Sequence, residues 1–419
     1  MKKVTLKRMF DTFAFSLVAT LMATIAFVCL SGSNIAYAAN PGDVVIDQDT
    51  ILSSDLSVSG DLYVDSVTFN CNRHTVTVGG NVYLYGDNGK ISCIGGELIV
   101  GKNLYVRAGT VYLNGGELRV NGDAIFAWID EDEHYQEVKA VLKMDNEDDV
   151  FTIGGNLVTY LYGSSYKGKQ CGMLCNAGCI KLAKNWENYG ACGNTEDLEV
   201  VLTGGGAQKL LDNNFSWIII PNLTVNNSTD RSITISGYID IGTLNSSVSI
   251  IAKAKSKKSP CLYIEKTKGS LDIDGDIELH IGKAGGNISV NGNLLGWGIR
   301  LSGKKLEVKG DYQNGSNKYD DGLHSELYLD GGTMIVDGNA IFASIDADEH
   351  YQAIDGILKM DNESDALSIG GDLITCFSEY YYSHTKYNMY CSAGKIKLAG
   401  NWIDYNRCEN NSGTFELEL

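Results

Sequence analysis

A short acidic segment that ends in histidine occurs twice in the chain. Asp130–His134 reads DEDEH, and Asp346–His350 reads DADEH. Clustered carboxylates on a loop can bind Ca²⁺, which prefers about six to eight oxygen ligands. EF-hand spacing is absent and Glu131 is replaced by Ala347, so a solvated loop with local Asp turns is the competing interpretation. Calcium is the one cofactor considered, and its candidate ligands are Asp130, Asp132, Glu133, Asp346, Asp348 and Glu349.

Ten cysteines follow residue 38, and an even number in an exported chain favours disulfides. The candidate pairs are Cys71 with Cys93, Cys171 with Cys179, Cys175 with Cys192, and Cys391 with Cys408. The last two pairs are equivalent positions of the duplicated segment. A zinc site built on Cys171, Cys175, Cys179 and Cys192 is a weaker alternative, because it lacks the usual two tight pairs. Buried thiols without bridges are the third interpretation.

Aromatic residues are frequent, and one run of them differs between the two copies. Tyr380–Tyr382 of the second copy aligns with Ser164-Ser165-Tyr166 of the first. Exposed aromatic side chains often contact ligands, so Tyr380, Tyr381 and Tyr382 are candidate ligand contacts. Trp186 and Trp402 occupy equivalent positions, which indicates packing between repeats.

No recognised catalytic motif is present. The chain has no Ser-His-Asp order, no GxSxG, no HExxH and no phosphate-binding loop. Catalytic residues are therefore not assigned, and the chain is not expected to be an enzyme. The alternative is a polysaccharide lyase or hydrolase that uses carboxylates from neighbouring repeats.

The elements that position these residues belong to a long internal duplication. Residues 112–192 and 328–408 align without a gap at an offset of 216, with 42 identities in 81 positions. A duplication of this length indicates a modular repeat architecture.

Shorter repeats underlie the duplication. Gly-Asp or Gly-Asn corners follow alternating strands at Gly60-Asp61, Gly80-Asn81 and Gly122-Asp123, and Gly101-Lys102-Asn103 is a variant of them; the corners are about 20 residues apart. Alternation places every second side chain on one face, and we expect the corner glycines to have positive φ. One such repeat cannot bury its own apolar face. Stacked repeats can, so the sequence predicts an all-β fold, a β-helix or β-solenoid with rungs of about 20 residues. Hairpins folded into sandwiches are the alternative.

The first 38 residues indicate export. Four basic residues precede an apolar run from Phe13 to Leu30, and Ala36-Tyr37-Ala38 fits signal-peptidase cleavage. An uncleaved anchor is the alternative. Cleavage removes four Lys/Arg and one Asp, so the net charge changes from −18 to −21. This charge disfavours nucleic acid as a partner, and we expect a secreted or cell-surface protein without a transmembrane segment.

Two further motifs carry a resemblance to a known group. Gly204-Gly205-Gly206-Ala207-Gln208 is followed by the strand Asn222–Asn227, NLTVNN. These segments resemble repeats of bacterial haemagglutinin-like or adhesin-like β-solenoid surface proteins. The resemblance implies a cell-surface role and carries no catalytic residue with it.

The predicted organisation has five parts: a signal peptide (1–38), N-terminal rungs (39–111), a first module (112–210), central rungs (211–327) and a second module (328–419) that resembles a truncated copy. We expect a non-catalytic, adhesin-like interaction protein that binds a protein or glycan at the cell surface. A structural spacer or a fragment of a larger surface protein is a further alternative.

Overall fold

The computed structural model describes residues 40–161, 172–190, 197–227, 231–314, 325–346, 350–354, 356–377, 381–382, 385–386, 389–405 and 416–419. All regular elements of these residues are β-strands. Nearly every pair of neighbouring strands is parallel, and successive rungs stack along one axis. The predicted all-β solenoid is therefore confirmed.

Strands of the N-terminal rungs are β1 (Val44–Ile46), β2 (Thr50–Ile51), β3 (Leu56–Val58), β4 (Leu62–Asp65), β5 (Thr68–Asn70), β6 (Thr75–Val78), β7 (Val82–Tyr85), β8 (Lys90–Ser92), β9 (Glu97–Val100), β10 (Leu104–Val106) and β11 (Ala108–Tyr112). The first module contains β12 (Glu117–Val120), β13 (Ala124–Phe126), β14 (Trp128–Ile129), β15 (Tyr135–Gln136), β16 (Lys139–Met144), β17 (Val150–Ile153), β18 (Leu157–Thr159), β19 (Met173–Cys175), β20 (Cys179–Leu182), β21 (Trp186–Asn188), β22 (Glu199–Leu202) and β23 (Gln208–Asp212).

Central rungs are built from β24 (Ile218–Val225), β25 (Ser232–Ser236), β26 (Tyr238–Leu244), β27 (Val248–Ala252), β28 (Cys261–Thr267), β29 (Leu271–Asp274), β30 (Ile277–Lys283), β31 (Ile288–Asn291), β32 (Leu294–Arg300), β33 (Lys305–Val308), β34 (Tyr312–Asn314) and β35 (Ser325–Tyr328). The second module contains β36 (Thr333–Val336), β37 (Ala340–Phe342), β38 (Ser344–Ile345), β39 (Tyr351–Gln352), β40 (Gly356–Met360), β41 (Ala366–Ile369), β42 (Leu373–Thr375), β43 (Tyr381–Tyr382), β44 (Thr385–Lys386), β45 (Met389–Cys391), β46 (Lys395–Leu398), β47 (Trp402–Asp404) and β48 (Glu416–Glu418).

Three sheets run along the solenoid within the described residues. Sheet 1 has 17 strands, sheet 2 has 6 and sheet 3 has 19. In the first rungs each turn of the chain contributes one strand to each sheet, as β4, β5 and β6 do. Inward side chains stack in columns, and Leu62, Val82 and Leu104 form one such column at paired positions. All three are fully buried, and each contributes about 1.5–3 kcal/mol relative to exposure.

The corner glycines are required by close packing, because those of the first rungs lack the positive φ expected from the sequence. Gly60, Gly80 and Gly122 have no left-handed φ. A Cβ on Gly122 would lie 2.1 Å from Asn103 Oδ1 and 2.7 Å from the carbonyl oxygen of Lys102. At Gly122 the preceding rung approaches so closely that a side chain would force the backbone to shift.

The residue after each corner links one rung to the next. Its side-chain oxygen accepts the backbone N–H of the equivalent residue one rung further along the chain. Asp61 accepts from Asn81 at 2.7 Å, Asn103 from Asp123 at 2.8 Å, and Asp123 from Asn156 at 2.6 Å. The same ladder resumes between Asp276 and Asn401. In the Gly-Asp and Gly-Asn dipeptides, the glycine thus allows neighbouring rungs to approach closely, and the Asp or Asn supplies a hydrogen-bond acceptor.

The central rungs lose one corner per turn. β24, β26, β28, β30 and β32 are 7 or 8 residues long and alternate with shorter strands of sheet 1. Beyond β32 the long strand divides again. Leu294 at its start pairs with Tyr312 of β34, and Ile299 near its end pairs with Leu327 of β35.

This change of rung type moves the second module onto different sheets. β12, β17 and β20 of the first module lie in sheet 3, whereas their counterparts β36, β41 and β46 lie in sheet 1. β13, β18 and β21 lie in sheet 1, whereas their counterparts β37, β42 and β47 lie in sheet 3. Equivalent strands of the two copies therefore occupy different faces of one solenoid.

Candidate functional site

Both copies of the acidic segment form a hairpin on the outside of the solenoid. β14 pairs antiparallel with β15, and β38 pairs antiparallel with β39. The first hairpin covers Ile125, Ala127 and Val158. In the second copy, Tyr351 of the hairpin packs on Ile341, Ala343, Ile374 and Cys376, which include the equivalents of those three residues. Each hairpin thus closes a small apolar cluster that is separate from the main core.

The first aspartate of each hairpin loop organises the turn. Asp130 Oδ1 accepts the N–H groups of Asp132 at 3.0 Å and His134 at 2.9 Å, and Asp130 Oδ2 accepts from Gln136 Nε2 at 2.6 Å. The backbone hydrogen bond from His134 is the main reason why the pKa of Asp130 is lowered. Asp346 accepts from His350 N at 2.9 Å and from Gln352 Nε2 at 2.8 Å.

Calcium binding at these loops gains no support from the geometry. No group of three or more His, Cys, Asp or Glu suited to a metal occurs among the residues that the structure describes. The Asp130 carboxylate is already used by N–H donors of its own loop. Asp348 and Glu349 lie outside the described residues, so the second loop's ligand set remains a prediction.

The cysteine predictions have different outcomes. Cys71 and Cys93 are buried free thiols in contact with each other, so their adjacency is confirmed while the predicted bridge is not present in the structure. A hydrogen bond between them, together with burial, raises the pKa of the Cys93 thiol. Cys179 is also a free thiol.

The remaining predicted pairs each include a residue outside the described part of the chain, namely Cys171, Cys192 or Cys408. Of their partners, Cys175 donates its thiol to the carbonyl oxygen of Leu142 at 3.8 Å. Cys391 is fully buried in the main core.

The predictions for the aromatic residues also have different outcomes. Tyr380 lies outside the described residues, while Tyr381 and Tyr382 form β43, which pairs with β44. Trp186 is fully buried, and its indole N–H donates to Thr159 Oγ1 at 3.1 Å; Trp402 donates to Thr375 in the same way. The interpretation of these tryptophans as packing residues is confirmed for Trp186.

A column of tyrosines on sheet 1 illustrates how stacking limits ligand binding. The rings of Tyr63, Tyr83 and Tyr105 lie parallel, with centroid distances of 4.9 and 5.0 Å. Because the two faces of the Tyr83 ring contact Tyr63 and Tyr105, they are not open to a ligand. Trp128 is 46% exposed, but Arg107 lies 4.4 Å from its ring centroid.

The least regular part of the ladder lies on the outer face of the central rungs in sheet 3. Between β30 and β32 the register shifts, so that His280 alone faces both Trp297 and Gly298. Gly298 has φ +87°, and a Cβ there would lie 2.5 Å from His280 Nδ1. His280 Nδ1 is 2.7 Å from the carbonyl oxygen of Trp297; because a carbonyl only accepts, Nδ1 carries the proton. This β-bulge fixes the imidazole in place.

Titratable side chains surround the bulge. Asp240, Tyr263 and His280 occupy paired positions of three successive strands. The Tyr263 ring stacks on His280 with a centroid distance of 4.1 Å, and its hydroxyl donates to Glu265 Oε2 at 3.0 Å. Burial, and secondarily the charge of Glu265, raises the pKa of Asp240 to about 6. We name Asp240, Tyr263, Glu265, His280 and Trp297 the bulge cluster.

An open pocket of about 400 Å³ adjoins the bulge cluster. Its lining residues are Gly282, Lys283, Arg300, Ser302 and Asp330. Arg300 and Ser302 both donate to Asp330 Oδ2, at 2.9 and 3.1 Å. A Cβ on Gly282 would lie 3.0 Å from Glu265 Oε2, so this carboxylate stands at the rim of the pocket.

Sequence analysis missed the bulge cluster. The available signal was the alternation of titratable and apolar residues in IDI, LYIE and IELHI, which place Asp240, Tyr263 and His280 on outward positions. Spacings of 23 and 17 residues hid their alignment, because rung length varies in this region.

The fold and surfaces of the described residues define the class of protein: a parallel β-solenoid with a repeated external hairpin and an irregular polar face. Comparisons of the chain with family models, curated proteins and solved structures each give no match. The likeness to adhesin-like repeat proteins therefore remains a proposal. No helix among the described residues is long and apolar enough to cross a membrane.

Proposed function

We propose that this chain is an exported interaction protein, in which a rigid solenoid presents two copies of one hairpin to a protein or glycan at the cell surface. The observation that carries the proposal is the repetition of an external element. The duplicated segment repeats the hairpin, its Asp-centred turn and the apolar cluster beneath it.

The hairpin tips are suited to contact with a partner. In the first copy the four residues after Asp130 are exposed, and the side chains of His134 and His350 are 76% and 74% exposed. The hairpins follow β13 in sheet 1 and β37 in sheet 3, so the tips project from different faces. Two weak contacts on a rigid scaffold increase total binding when both are engaged.

A panel of immobilised matrix proteins and polysaccharides tests this role. Residues 130–134 and 346–350 are each replaced by Asn-Gly, which joins the paired residues Ile129 and Tyr135, or Ile345 and Tyr351, by a two-residue turn. We expect the parent chain to bind at least one panel member and the double variant to lose at least tenfold in affinity. An unchanged circular dichroism spectrum controls for folding. Equal binding by the double variant and the parent would refute the hairpin role.

The alternatives named from sequence lead to different results in the same panel. A structural spacer binds no member of it. A polysaccharide-degrading enzyme releases new reducing ends, and the bulge cluster is the specific feature that favours such an activity.

A further inference from the structure

The bulge cluster differs from the rest of the solenoid surface in how its polar groups are satisfied. Asp123 and the other ladder residues accept backbone N–H groups, and Asp149 in its buried turn accepts from Asp145 and Asn146. Asp240 is half-buried, yet no described residue donates a hydrogen bond to its carboxylate. A desolvated acid without a donor destabilises the fold, and such groups concentrate at functional sites.

The second carboxylate of the cluster has a different environment. Asp240 pairs with Tyr263, and Glu265 lies two residues further along the same face, about 7–8 Å away between Cα atoms. Glu265 is exposed and is oriented by the Tyr263 hydroxyl, while the bulge holds the stacked His280 ring behind Tyr263. A pair of carboxyl groups in unlike environments is the arrangement that divides acid and base roles in glycoside hydrolysis.

We propose that Asp240 and Glu265 form a hydrolytic site for the glycosidic bonds of a polysaccharide that lies across the outer face of β26, β28 and β30. Asp240 donates its proton to the leaving glycosidic oxygen as the bond from C1 to that oxygen breaks. Glu265 takes a proton from the water whose oxygen bonds to C1. One water is consumed, two hydroxyl-bearing products form, and the carboxyl groups exchange protons with solvent to regain their starting states.

The pocket that has Glu265 at its rim gives room for a sugar on one side of the site. Its volume of about 400 Å³ falls within the range of small-molecule sites. Lys283 and Arg300 supply donors for sugar hydroxyl groups, and Asp330 holds the Arg300 guanidinium in position. His280 and Tyr263 are positioning residues, because they act through Glu265.

The site predicts a dependence of rate on pH. The groups that face Asp240 are Tyr238 on its own strand and Tyr263 and Glu265 on β28; the facing residue of β24 is Ile219, which carries no charge. Since burial and Glu265 raise the pKa of Asp240 to about 6, the proton donor is lost above that pH. The rate should fall as the pH rises from 6 to 8.

The experiment follows new reducing ends from soluble starch, xylan, galactomannan and polygalacturonate with the chain from Ala39 to Leu419. We expect release from at least one polymer, a loss of 100-fold or more for Asp240→Asn and for Glu265→Gln, and no change for the control Asp272→Asn on sheet 1. Circular dichroism confirms that each variant is folded.

Three results would overturn the proposal. The first is no release from any of the four polymers, and the second is activity of both site variants equal to that of Asp272→Asn. The third is a product with a carbon–carbon double bond, which indicates elimination instead of hydrolysis. Because the hairpin variants are measured separately by binding, failure of the hydrolytic site leaves the interaction proposal unaffected, and the reverse also holds.

Discussion

At the scale of single residues, some polar side chains of the solenoid stabilise the fold and others destabilise it. Asp149 and Asp365 are buried beneath the repeated LKMDNE turns and accept backbone N–H groups of their own loops. Asp240 has no such donors among the described residues. Its contribution to folding should therefore depend on pH in a way that can be measured.

Replacement of Asp240 by Asn should stabilise the protein at neutral pH. Burial raises the pKa of this group in the folded state to about 6, from an ordinary value of 3.8. The folded state therefore holds the proton more tightly than the unfolded state. The stability that the protonated Asp240 carboxyl group contributes is full below pH 4 and is lost as the pH rises through 6. The free energy of unfolding of Asp240→Asn should exceed that of the parent by about 2–3 kcal/mol at pH 7.5.

Urea unfolding at pH 4 and pH 7.5 measures this difference. The gain should be much smaller at pH 4, where the carboxyl group is protonated in the folded state and only about half ionised in the unfolded state. An equal difference at both pH values would show that Asp240 does not titrate as described.

Cys71 and Cys93 should form a bridge in an oxidising environment. Paired residues of adjacent parallel strands lie about 4.8 Å apart, which is within the range of Cα separations in disulfides. After refolding with oxidised glutathione, these two thiols should resist alkylation in denaturant, and their peptides should be linked in a non-reducing digest. Cys93→Ala is the control, since it leaves Cys71 to be alkylated. Full alkylation of both cysteines after oxidation would contradict the prediction.

At the scale of elements, the corner residues determine how one rung follows another. Asp123 Oδ1 accepts the N–H of Asn156, and the backbone N–H of Asp123 donates to Asn103 Oδ1. At the equivalent position the two neighbouring rungs have Asn, and other rungs of the ladder have Asp. The acceptor oxygen, and not its charge, is therefore the feature that the ladder requires.

Asp123→Ala should destabilise the protein by about 1–3 kcal/mol, because the partly buried N–H of Asn156 loses its acceptor. Asp123→Asn keeps an oxygen at the same place and should change the free energy of unfolding by much less. Chemical denaturation of both variants provides the test. Equal stability of the Ala and Asn variants would mean that the ladder contributes nothing.

The elements also show how far sequence reasoning reaches. Alternation and Gly-Asx spacing predicted the strands and corners around Asp61, Asn81 and Asp123, because both patterns are local. For the corner glycines of the first rungs the expected positive φ was wrong, although Gly275 of a later corner has it. Gly122 is needed because Asn103 and Lys102 approach it, and such an approach exists only between stacked rungs. The bulge at Trp297 was not predictable either, because it is defined by pairing with β30 and so exists only between stacked rungs.

At the scale of the whole molecule, the main feature is that equivalent strands of the two modules lie in different sheets. The central rungs have one corner fewer per turn, so the strand that carries each hairpin passes from sheet 1 to sheet 3. The offset of 216 residues revealed the duplication but not this change of face, which depends on how many strands each intervening turn contains. Two similar tips on different faces favour contact with separate partner molecules.

The number of partner molecules bound per chain is the measurement that tests this account most directly. The partner is the panel member that the parent chain binds, in soluble form, and its stoichiometry is followed by sedimentation velocity. We predict two partners for the parent chain, one for each single hairpin replacement, and none for the double replacement. One partner per parent chain, or unchanged binding by the double replacement, would contradict the claim that the repeated hairpins are the interaction sites.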